Sequence, residues 1–265
     1  MDQSELINTI TGEVLKRLQA EIAKRGVTAG PASGGGKFSG VNPAELAQYI
    51  DHTILKPEST LAMIDKICAE AKQYKFKSVC VNSGRVAYVA QTLQGTGIKV
   101  CSVIGFPLGA MDSRGKAFEA RRAIEEGAQE LDMVINVGAL KSGELKLVEE
   151  DIRAVRRATR ANTILKVIIE TSLLTQEEKV LACELAKKAE ADFVKTCTGF
   201  AGGGATVEDI ALMRRVVGPK MGVKASGAVR DYDKAVAVLN AGANRIGAVS
   251  SVAIVTGVRA EGQGY

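Results

Sequence analysis

Three lysines in apolar runs are the residues of this sequence best suited to covalent chemistry. Lys166 lies in the run 164–171, Lys195 in 192–199 and Lys224 in 221–227, so that neighbouring lysines are 29 positions apart. Lysine is rarely buried without a partner, so its place in three such runs needs an explanation. Either each ammonium pairs with a carboxylate on a neighbouring strand or lies at a solvated strand end, or one amine is a nucleophile that a second ammonium keeps uncharged.

An acid in another apolar run completes the candidate chemistry. Asp132 lies in Glu130-Leu-Asp-Met-Val-Ile-Asn136 and is predicted to be a salt-bridge partner of a strand lysine, a water-mediated proton shuttle, or both. Attack on a carbonyl requires a free amine, and desolvation together with a nearby ammonium lowers the pKa of a lysine. The spacing leaves open which lysine is the nucleophile.

The single histidine, His52, argues against two other chemistries. Zinc enzymes of the aldolase and hydrolase types usually need two or three imidazole ligands, which this chain cannot supply. A Ser-His-Asp triad would have to run through His52 alone. We therefore expect no metal and no other cofactor.

Glycine-rich segments follow the last three predicted strands. They are the run 199–204, the pair Ser226-Gly227, and Gly247 with the serines at 250 and 251. In a (β/α)₈ barrel, the loops after strands seven and eight commonly bind phosphate through backbone N–H groups. The sequence predicts a phosphate site there, although Gly-Gly-Gly alone is more often a simple turn.

Strand-like runs alternate with amphipathic helical segments along most of the chain. Strands are expected at 47–55, 77–81, 98–106, 131–136, the three lysine runs and 244–248, and helices at 59–71, 83–93, 113–126, 145–159, 176–190, 206–217, 232–241 and 250–256. Eight strands in strict alternation with eight helices favour a closed α/β fold, the (β/α)₈ or TIM barrel, over an open doubly wound sheet. No Gly-x-Gly-x-x-Gly follows the first strand, which argues against dinucleotide binding.

The chain divides into three predicted regions. Residues 1–25 have helical apolar spacing, 26–40 form a linker rich in Gly, Ser and Ala, and 41–265 form the catalytic barrel. The N-terminal helix is expected to cover the bottom of the barrel or to contact another subunit. The alternative is a loosely attached tail.

The composition of the chain indicates its cellular compartment and limits the classes of partner that it can bind. A length of 265 residues suits one (β/α)₈ barrel, and an aromatic content of 4% without Trp implies an aliphatic core. The formal charge of +5, without basic tracts interleaved with aromatics, argues against nucleic acid and fits a phosphorylated metabolite. Five scattered cysteines indicate reduced thiols, and no apolar run reaches membrane-spanning length. We expect a cytoplasmic protein without membrane partners.

Seven stretches closely resemble the deoxyribose-phosphate aldolase family of Schiff-base, class I aldolases on a (β/α)₈ barrel. They run in order over about 42–258 and are Ile50-Asp-His-Thr-Ile-Leu-Lys-Pro57, Val79-Cys-Val-Asn82, Gly105-Phe-Pro-Leu-Gly-Ala110, Leu131-Asp-Met-Val-Ile-Asn136, Leu165-Lys-Val-Ile-Ile-Glu-Thr171, Val194-Lys-Thr-Cys-Thr-Gly-Phe200 and Val223-Lys-Ala-Ser-Gly227. The resemblance implies reversible cleavage of 2-deoxy-D-ribose 5-phosphate to D-glyceraldehyde 3-phosphate and acetaldehyde, without a metal.

The same resemblance implies a role for each matching residue. Lys166 would form the Schiff base, Lys195 would be the cation that lowers its pKa, and Asp132 would shuttle protons. Asp51 and Thr53 would lie near the sugar hydroxyls and Cys80 near the bound aldehyde. The remaining substrate-binding residues expected are Thr171, Gly203, Gly204, Ser226, Gly227, Gly247 and Ser250.

Two departures fall where the resemblance places the phosphate. The family usually has Lys-Ala-Ser-Gly-Gly-Val-Arg, in which Ala228 replaces the second glycine here. It usually has Arg-Ile-Gly-Thr-Ser-Ser-Gly, in which Val249 replaces the first serine. We predict weaker phosphate binding and better relative use of unphosphorylated aldehydes.

Two other functions and one assembly remain as alternatives. The chain would be another Schiff-base lyase or transaldolase-like enzyme acting on a different phosphorylated carbonyl compound, or a barrel without activity that binds a metabolite. Acetaldehyde release would distinguish the first, and binding without turnover the second. Barrels of this kind often form homodimers, to which the N-terminal helix could contribute.

Overall fold

The computed structural model describes residues 37–258, so the predicted N-terminal helix and most of the predicted linker lie outside the described residues. Eight parallel strands close into a barrel in sequence order, with β8 paired to β1. The strands are β1 Ile50–Thr53, β2 Ser78–Val81, β3 Lys99–Ile104, β4 Glu130–Val134, β5 Ile164–Ile168, β6 Phe193–Lys195, β7 Gly222–Ser226 and β8 Arg245–Ala248. The predicted (β/α)₈ barrel is confirmed.

Nine α-helices lie in this part of the chain and surround the barrel. They are α1 Leu61–Tyr74, α2 Val86–Thr92, α3 Ser113–Glu125, α4 Val137–Lys141, α5 Leu145–Ala158, α6 Gln176–Lys188, α7 Val207–Val217, α8 Tyr232–Asn240 and α9 Ser251–Thr256, and 3₁₀ segments span Pro43–Tyr49, Ser83–Arg85 and Thr171–Leu173. Their starts follow local chemistry, as at α6, where Thr175 and Glu178 form a reciprocal capping box. No helix in the described range is long and apolar enough to cross a bilayer.

The start of the first strand and one short helix differ most from the sequence prediction. The first strand was expected from Ala47, but residues 43–49 form a 3₁₀ helix and β1 begins at Ile50. Asn42 caps this segment by accepting a hydrogen bond from the Ala44 N–H, and Pro43 occupies its first position. The short helix α4 was not predicted, because its glycine and its length of 5 residues give a weak helical pattern.

The core has the two layers expected when neighbouring strand residues point to opposite faces. Aliphatic side chains such as Leu165, Val167 and Val194 pack in one large cluster with the helices. The opposite face lines the barrel interior, where a second cluster contains only Leu55, Cys80, Cys101 and Val103. The rest of that interior is strongly polar, whereas barrels usually fill it with branched aliphatic residues. This exception marks the candidate site.

Candidate active site

A network of buried ionic groups fills the barrel interior, and seven of the eight strands contribute to it. Its members are Asp51 on β1, Cys101 on β3, Glu130 and Asp132 on β4, Lys166 on β5, Lys195 on β6, Lys224 on β7 and Arg245 on β8, all at most 5% exposed. Isolated buried charges are costly, but carboxylates and cations alternate here within hydrogen-bond distance. We call this set the interior ionic cluster.

Asp132 is the centre of the interior ionic cluster. Its Oδ1 accepts from Lys166 Nζ at 2.8 Å, and its Oδ2 accepts from Lys195 Nζ and Lys224 Nζ, each at 2.7 Å. The Cys101 thiol also donates to Oδ1, at 3.2 Å. Burial alone would raise the pKa of Asp132, but the three ammonium groups hold it well below its usual value. Asp132 is therefore ionised and contacts all three lysines singled out in the sequence.

The equal spacing of the lysines does not give three equivalent positions. Lys195 pairs in register with Lys224, whereas Lys166 pairs with Phe193, two residues before Lys195. Lys166 is thus nearer to the N-terminal end of the barrel. It still reaches Asp132, because these two residues are direct register partners on β4 and β5.

Lys166 is enclosed by acids. Its Nζ lies 2.6 Å from Glu130 Oε2, 2.8 Å from Asp132 Oδ1 and 3.8 Å from Asp51 Oδ2, and its side chain is fully buried. Burial alone would lower the pKa of Lys166, but the neighbouring acids raise it well above its usual value. The role implied for Lys195, the cation that lowers the pKa of Lys166, stays a prediction.

Lys224 shares this environment, while Lys195 differs from both. Lys224 is fully buried and contacts Asp51 and Asp132; these carboxylates raise its pKa despite the opposing effect of burial. Lys195 is 3% exposed and lines a surface cleft at the end of the barrel. Its Nζ contacts Asp132 at 2.7 Å. The carboxylate of Asp132 thus connects the cleft-lining Lys195 to the fully buried Lys166 and Lys224.

The cleft contains half of the predicted substrate-binding residues. Thr53, Ser226, Gly227, Gly247 and Ser250 line it, together with residues that were not predicted, namely Leu55, Thr198, Ala228, Val229, Arg230, Ala248 and Val249. All but Leu55 flank the predicted glycine-rich segments. Their position next to those segments is the signal by which the sequence could have identified them.

The other five predicted residues do not line the cleft. Asp51 and Cys80 are fully buried in the barrel interior. Thr171 is buried, and its hydroxyl lies 3.2 Å from Cys197 Sγ. Gly203 packs against Ser172 and Gly204 against the segment at Gly227, so these two glycines support the wall.

The wall formed by β7 and β8 is closely packed. A Cβ on Gly247 would lie 2.3 Å from Ser226 Oγ, so this position requires glycine. Ser226 Oγ is buried without a hydrogen-bond partner among the described residues. Ala228 has a φ of +57°, in the left-handed region that favours glycine, and Val249 is 42% exposed. The two departures from the family pattern thus both lie in the wall of the cleft.

Two acidic or basic residues of the interior ionic cluster were missed in the sequence. Glu130 bonds to Lys166 and to Arg245, whose guanidinium also donates to Asp51 at 2.6 Å. Glu130 lies two residues before Asp132, and residues i and i+2 of a strand share a face. That alternation could have identified Glu130, whereas nothing local marks Arg245.

His52 belongs to a separate buried arrangement. Its Nδ1 lies 2.9 Å from Ser251 Oγ and its Nε2 lies 2.7 Å from Glu70 Oε2. The hydrogen bond with His52 lowers the pKa of Glu70. A Ser-His-acid series is thus present, but Ser251 is fully buried and its hydroxyl also contacts the Ala248 carbonyl at 2.9 Å. This serine cannot reach a substrate, so the series has a structural role.

One group of side chains in the described part of the chain has metal-ligand spacing. Cys80, Cys101 and Asp132 offer ligand atoms that lie within 4.8 Å of one another. Both oxygens of Asp132 already accept hydrogen bonds from lysine ammonium groups. A cation at this point would have to compete with three positive charges.

The sequence matches a known family over most of the barrel. The model of the DeoC/LacD family aldolases matches residues 45–258. The chain belongs to the DeoC/LacD aldolase family. Membership confirms the expected class of enzyme, a carbon–carbon lyase, and agrees with the resemblance stated above.

Individual members of the DeoC/LacD family are similar in sequence over most of this chain. Proteins named deoxyribose-phosphate aldolase from Brevibacillus brevis and Streptococcus gordonii are 60% and 61% identical over 218 residues. These matches cover 82% of this chain and 98% and 99% of the relatives.

Solved structures of the same kind share the fold. The deoxyribose phosphate aldolase of Aeropyrum pernix, described as a tetramer, superposes with a TM-score of 0.75 at 33% identity, covering 81% of this chain and 91% of that chain. A structure described as QR15, an aldolase, has a TM-score of 0.77 at 38% identity, covering 80% and 95%.

Proposed function

We propose that this protein is a deoxyribose-phosphate aldolase that cleaves 2-deoxy-D-ribose 5-phosphate to D-glyceraldehyde 3-phosphate and acetaldehyde. The observation that carries the proposal is the buried carboxylate of Asp132, which contacts the amines of Lys166, Lys195 and Lys224. Curated relatives at 60% and 61% identity bear the name of this activity.

The proposal assigns the Schiff base to Lys166 and the neighbouring cation to Lys195, the roles that the resemblance implies. Lys166 Nζ lies 2.8 Å from Asp132 Oδ1, and Lys195, which lines the cleft, contacts the other oxygen of that carboxylate at 2.7 Å. A nucleophilic lysine must be an uncharged amine, and a neighbouring ammonium group favours that form. Glu130 and Asp132 contact the Lys166 ammonium and are assigned to accept the proton that it must lose.

In the cleavage direction, Lys166 Nζ attacks the C1 aldehyde of the open-chain sugar and water leaves to give an iminium. Asp132, directly or through water, accepts the proton of the C3 hydroxyl. The C2–C3 bond breaks, its electron pair forms the enamine on Lys166, and C3 becomes the aldehyde of D-glyceraldehyde 3-phosphate. Protonation of the enamine at C2 and hydrolysis of the iminium then release acetaldehyde and restore the amine.

The iminium supplies the electron sink in this scheme, so the proposed reaction needs no metal. Lys195 and Lys224 are assigned to stabilising the ionised Asp132, which each contacts at 2.7 Å. Thr53, Ser226 and the glycine-rich wall are assigned to binding the sugar phosphate, because they line the cleft beside Lys195.

The proposal is tested by incubating the protein with 2-deoxy-D-ribose 5-phosphate and a chelator and measuring acetaldehyde with a coupled dehydrogenase. We expect acetaldehyde from the wild type and from Lys188→Arg, a control at an exposed lysine that bonds to Glu149. Lys166→Arg should lose at least about 10³-fold in kcat/KM, because a guanidinium cannot form the Schiff base. Sugar-phosphate binding without acetaldehyde release by the wild type would instead support the inactive, metabolite-binding barrel.

A further inference from the structure

Two cysteines lie side by side in the barrel interior, and one of them, Cys101, belongs to the interior ionic cluster. Cys80 on β2 and Cys101 on β3 are register partners, and both are fully buried. Their Sγ atoms lie within 4.8 Å of each other. Neighbouring strands are about 4.8 Å apart, which is within the range of Cα separations that a disulfide bond spans. The barrel therefore holds these two thiols at a spacing that a disulfide can bridge.

Cys101 connects this pair of thiols to the groups assigned to catalysis. Its thiol donates a hydrogen bond to Asp132 Oδ1 at 3.2 Å, and its Sγ accepts one from Lys166 Nζ at 3.5 Å. Asp132 is the assigned proton shuttle and Lys166 the assigned Schiff-base lysine. A disulfide sulfur has no hydrogen to donate, so oxidation of Cys101 removes its hydrogen bond to Asp132. Formation of the disulfide also draws Cys101 Sγ toward Cys80.

Leu55 joins the pair of thiols to the cleft. It packs with Cys80, Cys101 and Val103 in the small apolar cluster of the barrel interior, and it also lines the cleft. A small oxidant that enters the cleft therefore needs to pass only this side chain to reach the thiols. Hydrogen peroxide is uncharged and nearly as small as water, so the positive charges of the interior ionic cluster do not repel it.

We propose that Cys80 and Cys101 form a peroxide-sensitive dithiol, whose oxidation to a disulfide reversibly inactivates the enzyme. The oxidant is a small hydroperoxide, for which hydrogen peroxide is the probe. The effect on activity rests on the aldolase function proposed above, whereas formation of the disulfide does not depend on that function.

The two thiols have different roles in this oxidation. A hydrogen bond with Cys101 lowers the pKa of Cys80, whereas burial raises the pKa of Cys101. Cys80 is therefore assigned as the thiolate that attacks hydrogen peroxide, and it becomes a sulfenic acid while the O–O bond breaks and water is released. Cys101 Sγ then attacks the Cys80 sulfur, the S–O bond breaks, and the hydroxyl group leaves as a second water with the proton of the Cys101 thiol. Overall, the two thiols lose two electrons and two protons, and one peroxide is reduced to two waters.

The test of disulfide formation is peptide mapping after treatment of the reduced protein with hydrogen peroxide. Remaining thiols are blocked with iodoacetamide before digestion. Trypsin separates the two cysteines, because Cys80 falls in the peptide 78–85 and Cys101 in the peptide 100–114. We expect these two peptides to be linked by a disulfide after treatment and to be separate after reduction with dithiothreitol. This measurement uses the wild type, so it depends neither on activity nor on the folding of a variant.

Acetaldehyde release from 2-deoxy-D-ribose 5-phosphate, after removal of all reagents, measures the effect on activity. Peroxide should lower kcat of the wild type at least about 10-fold, because the proton shuttle loses its contact with Cys101, and dithiothreitol should restore it. Cys80→Ser and Cys101→Ser, each compared with its own untreated activity, should show no loss that dithiothreitol restores. Cys183→Ala, a control at a buried cysteine of the outer helix α6, should respond like the wild type.

Four results would contradict this account at different points. Peroxide-treated wild type without the linked peptides would overturn the dithiol. A loss of activity that dithiothreitol restores in either Ser variant would assign the modification to another thiol and would also overturn it. Linked peptides with unchanged kcat would overturn the inactivation. Without acetaldehyde release by the reduced, untreated wild type, the proposed aldolase function itself would fail, while the peptide map would still test the dithiol.

Discussion

Asp132 shows how a single side chain determines the behaviour of its neighbours. Both of its oxygens bind ammonium groups, and its ionised form is a counter-charge for Lys166 and Lys224, which are both fully buried. The third amine on this carboxylate, that of Lys195, lines the cleft. The carboxylate is thus both the salt-bridge partner and the assigned proton shuttle, the two roles that the sequence left open.

At this residue we predict a loss of activity on changing Asp132→Asn. The amide retains size but cannot accept the C3 hydroxyl proton, so kcat for cleavage should fall by about 10²-fold or more. The buried lysines also lose their shared counter-charge, which should destabilise the fold by roughly 3–5 kcal/mol. Steady-state kinetics and urea unfolding measure the two effects.

A variant Asp132→Asn with wild-type kcat would remove the carboxylate from the mechanism. Asp209→Asn is a suitable control, because Asp209 forms an ion pair with Lys179 on the outer helices α6 and α7 and not in the barrel interior. The control should retain kcat.

At the scale of elements, the strands were largely predictable from the sequence. Alternating strand-like and helical runs predicted all eight strands, because each run has the length and apolar pattern of a parallel strand buried on both faces. The apolar pattern placed the start of β1 too early. Capping by Asn42, with Pro43 in the first position, favours a 3₁₀ helix there instead. The offset between Lys166 and Lys195 is set by how β5 pairs with β6. This pairing cannot be derived from the spacing of residues along the chain.

The candidate site was predictable in its membership and less so in its roles. Asp132 and the three lysines stand out as polar residues in apolar strands, and the structure brings them together. Spacing along the chain leaves open which lysine is the nucleophile. The contacts that distinguish Lys166 from Lys195 are properties of the closed barrel, so local sequence could not supply them.

A further prediction concerns the loops that follow β7 and β8. Ala228 has a left-handed φ of +57°, and Val249 places an apolar side chain in the cleft wall. Ala228→Gly combined with Val249→Ser should lower KM for 2-deoxy-D-ribose 5-phosphate by about 3- to 10-fold, since glycine permits closer backbone approach and serine adds a hydrogen-bond donor.

The effect of the loop changes should depend on the phosphate. KM for unphosphorylated 2-deoxy-D-ribose, measured on the same double variant, is the matched control and should change little. Equal decreases in KM for both sugars, or none for either, would contradict a phosphate site at this wall.

At the scale of the whole molecule, the interior ionic cluster makes the free energy of unfolding depend on pH in the acid range. The pKa values of Asp51 and Asp132 are held below their usual range, because nearby cations outweigh the opposing effect of burial. A depressed folded pKa means that the unfolded chain binds more protons in acid. The stability contributed by each carboxylate is therefore present above about pH 4 and is lost as pH falls toward the folded pKa.

We predict that Asp51→Asn flattens this acid dependence. Between about pH 4 and pH 2.5 its unfolding free energy should fall less steeply than that of the wild type, by up to about 1.4 kcal/mol per pH unit. Urea titrations at several pH values measure the slope, and Glu58→Gln, at an exposed position, is the control. A wild-type slope in Asp51→Asn would show that this carboxylate is not linked to acid unfolding.

The assembly and location of the whole molecule stay predictions. A homodimer is expected from the sequence, whereas the Aeropyrum pernix relative is described as a tetramer. Light scattering coupled to size exclusion would give the mass of the assembly. The five cysteines are all unpaired and buried.

The central claim is that Lys166 is the amine that forms the Schiff base, with Lys195 as the neighbouring cation. The most direct measurement is to incubate the protein with acetaldehyde, reduce it with borohydride, digest it and locate the modified lysine by mass spectrometry. We predict a single ethyl group on Lys166, with Lys195 and Lys224 unmodified. An ethyl group on Lys195 in its place would contradict this account, because the amine that lines the cleft would then be the nucleophile.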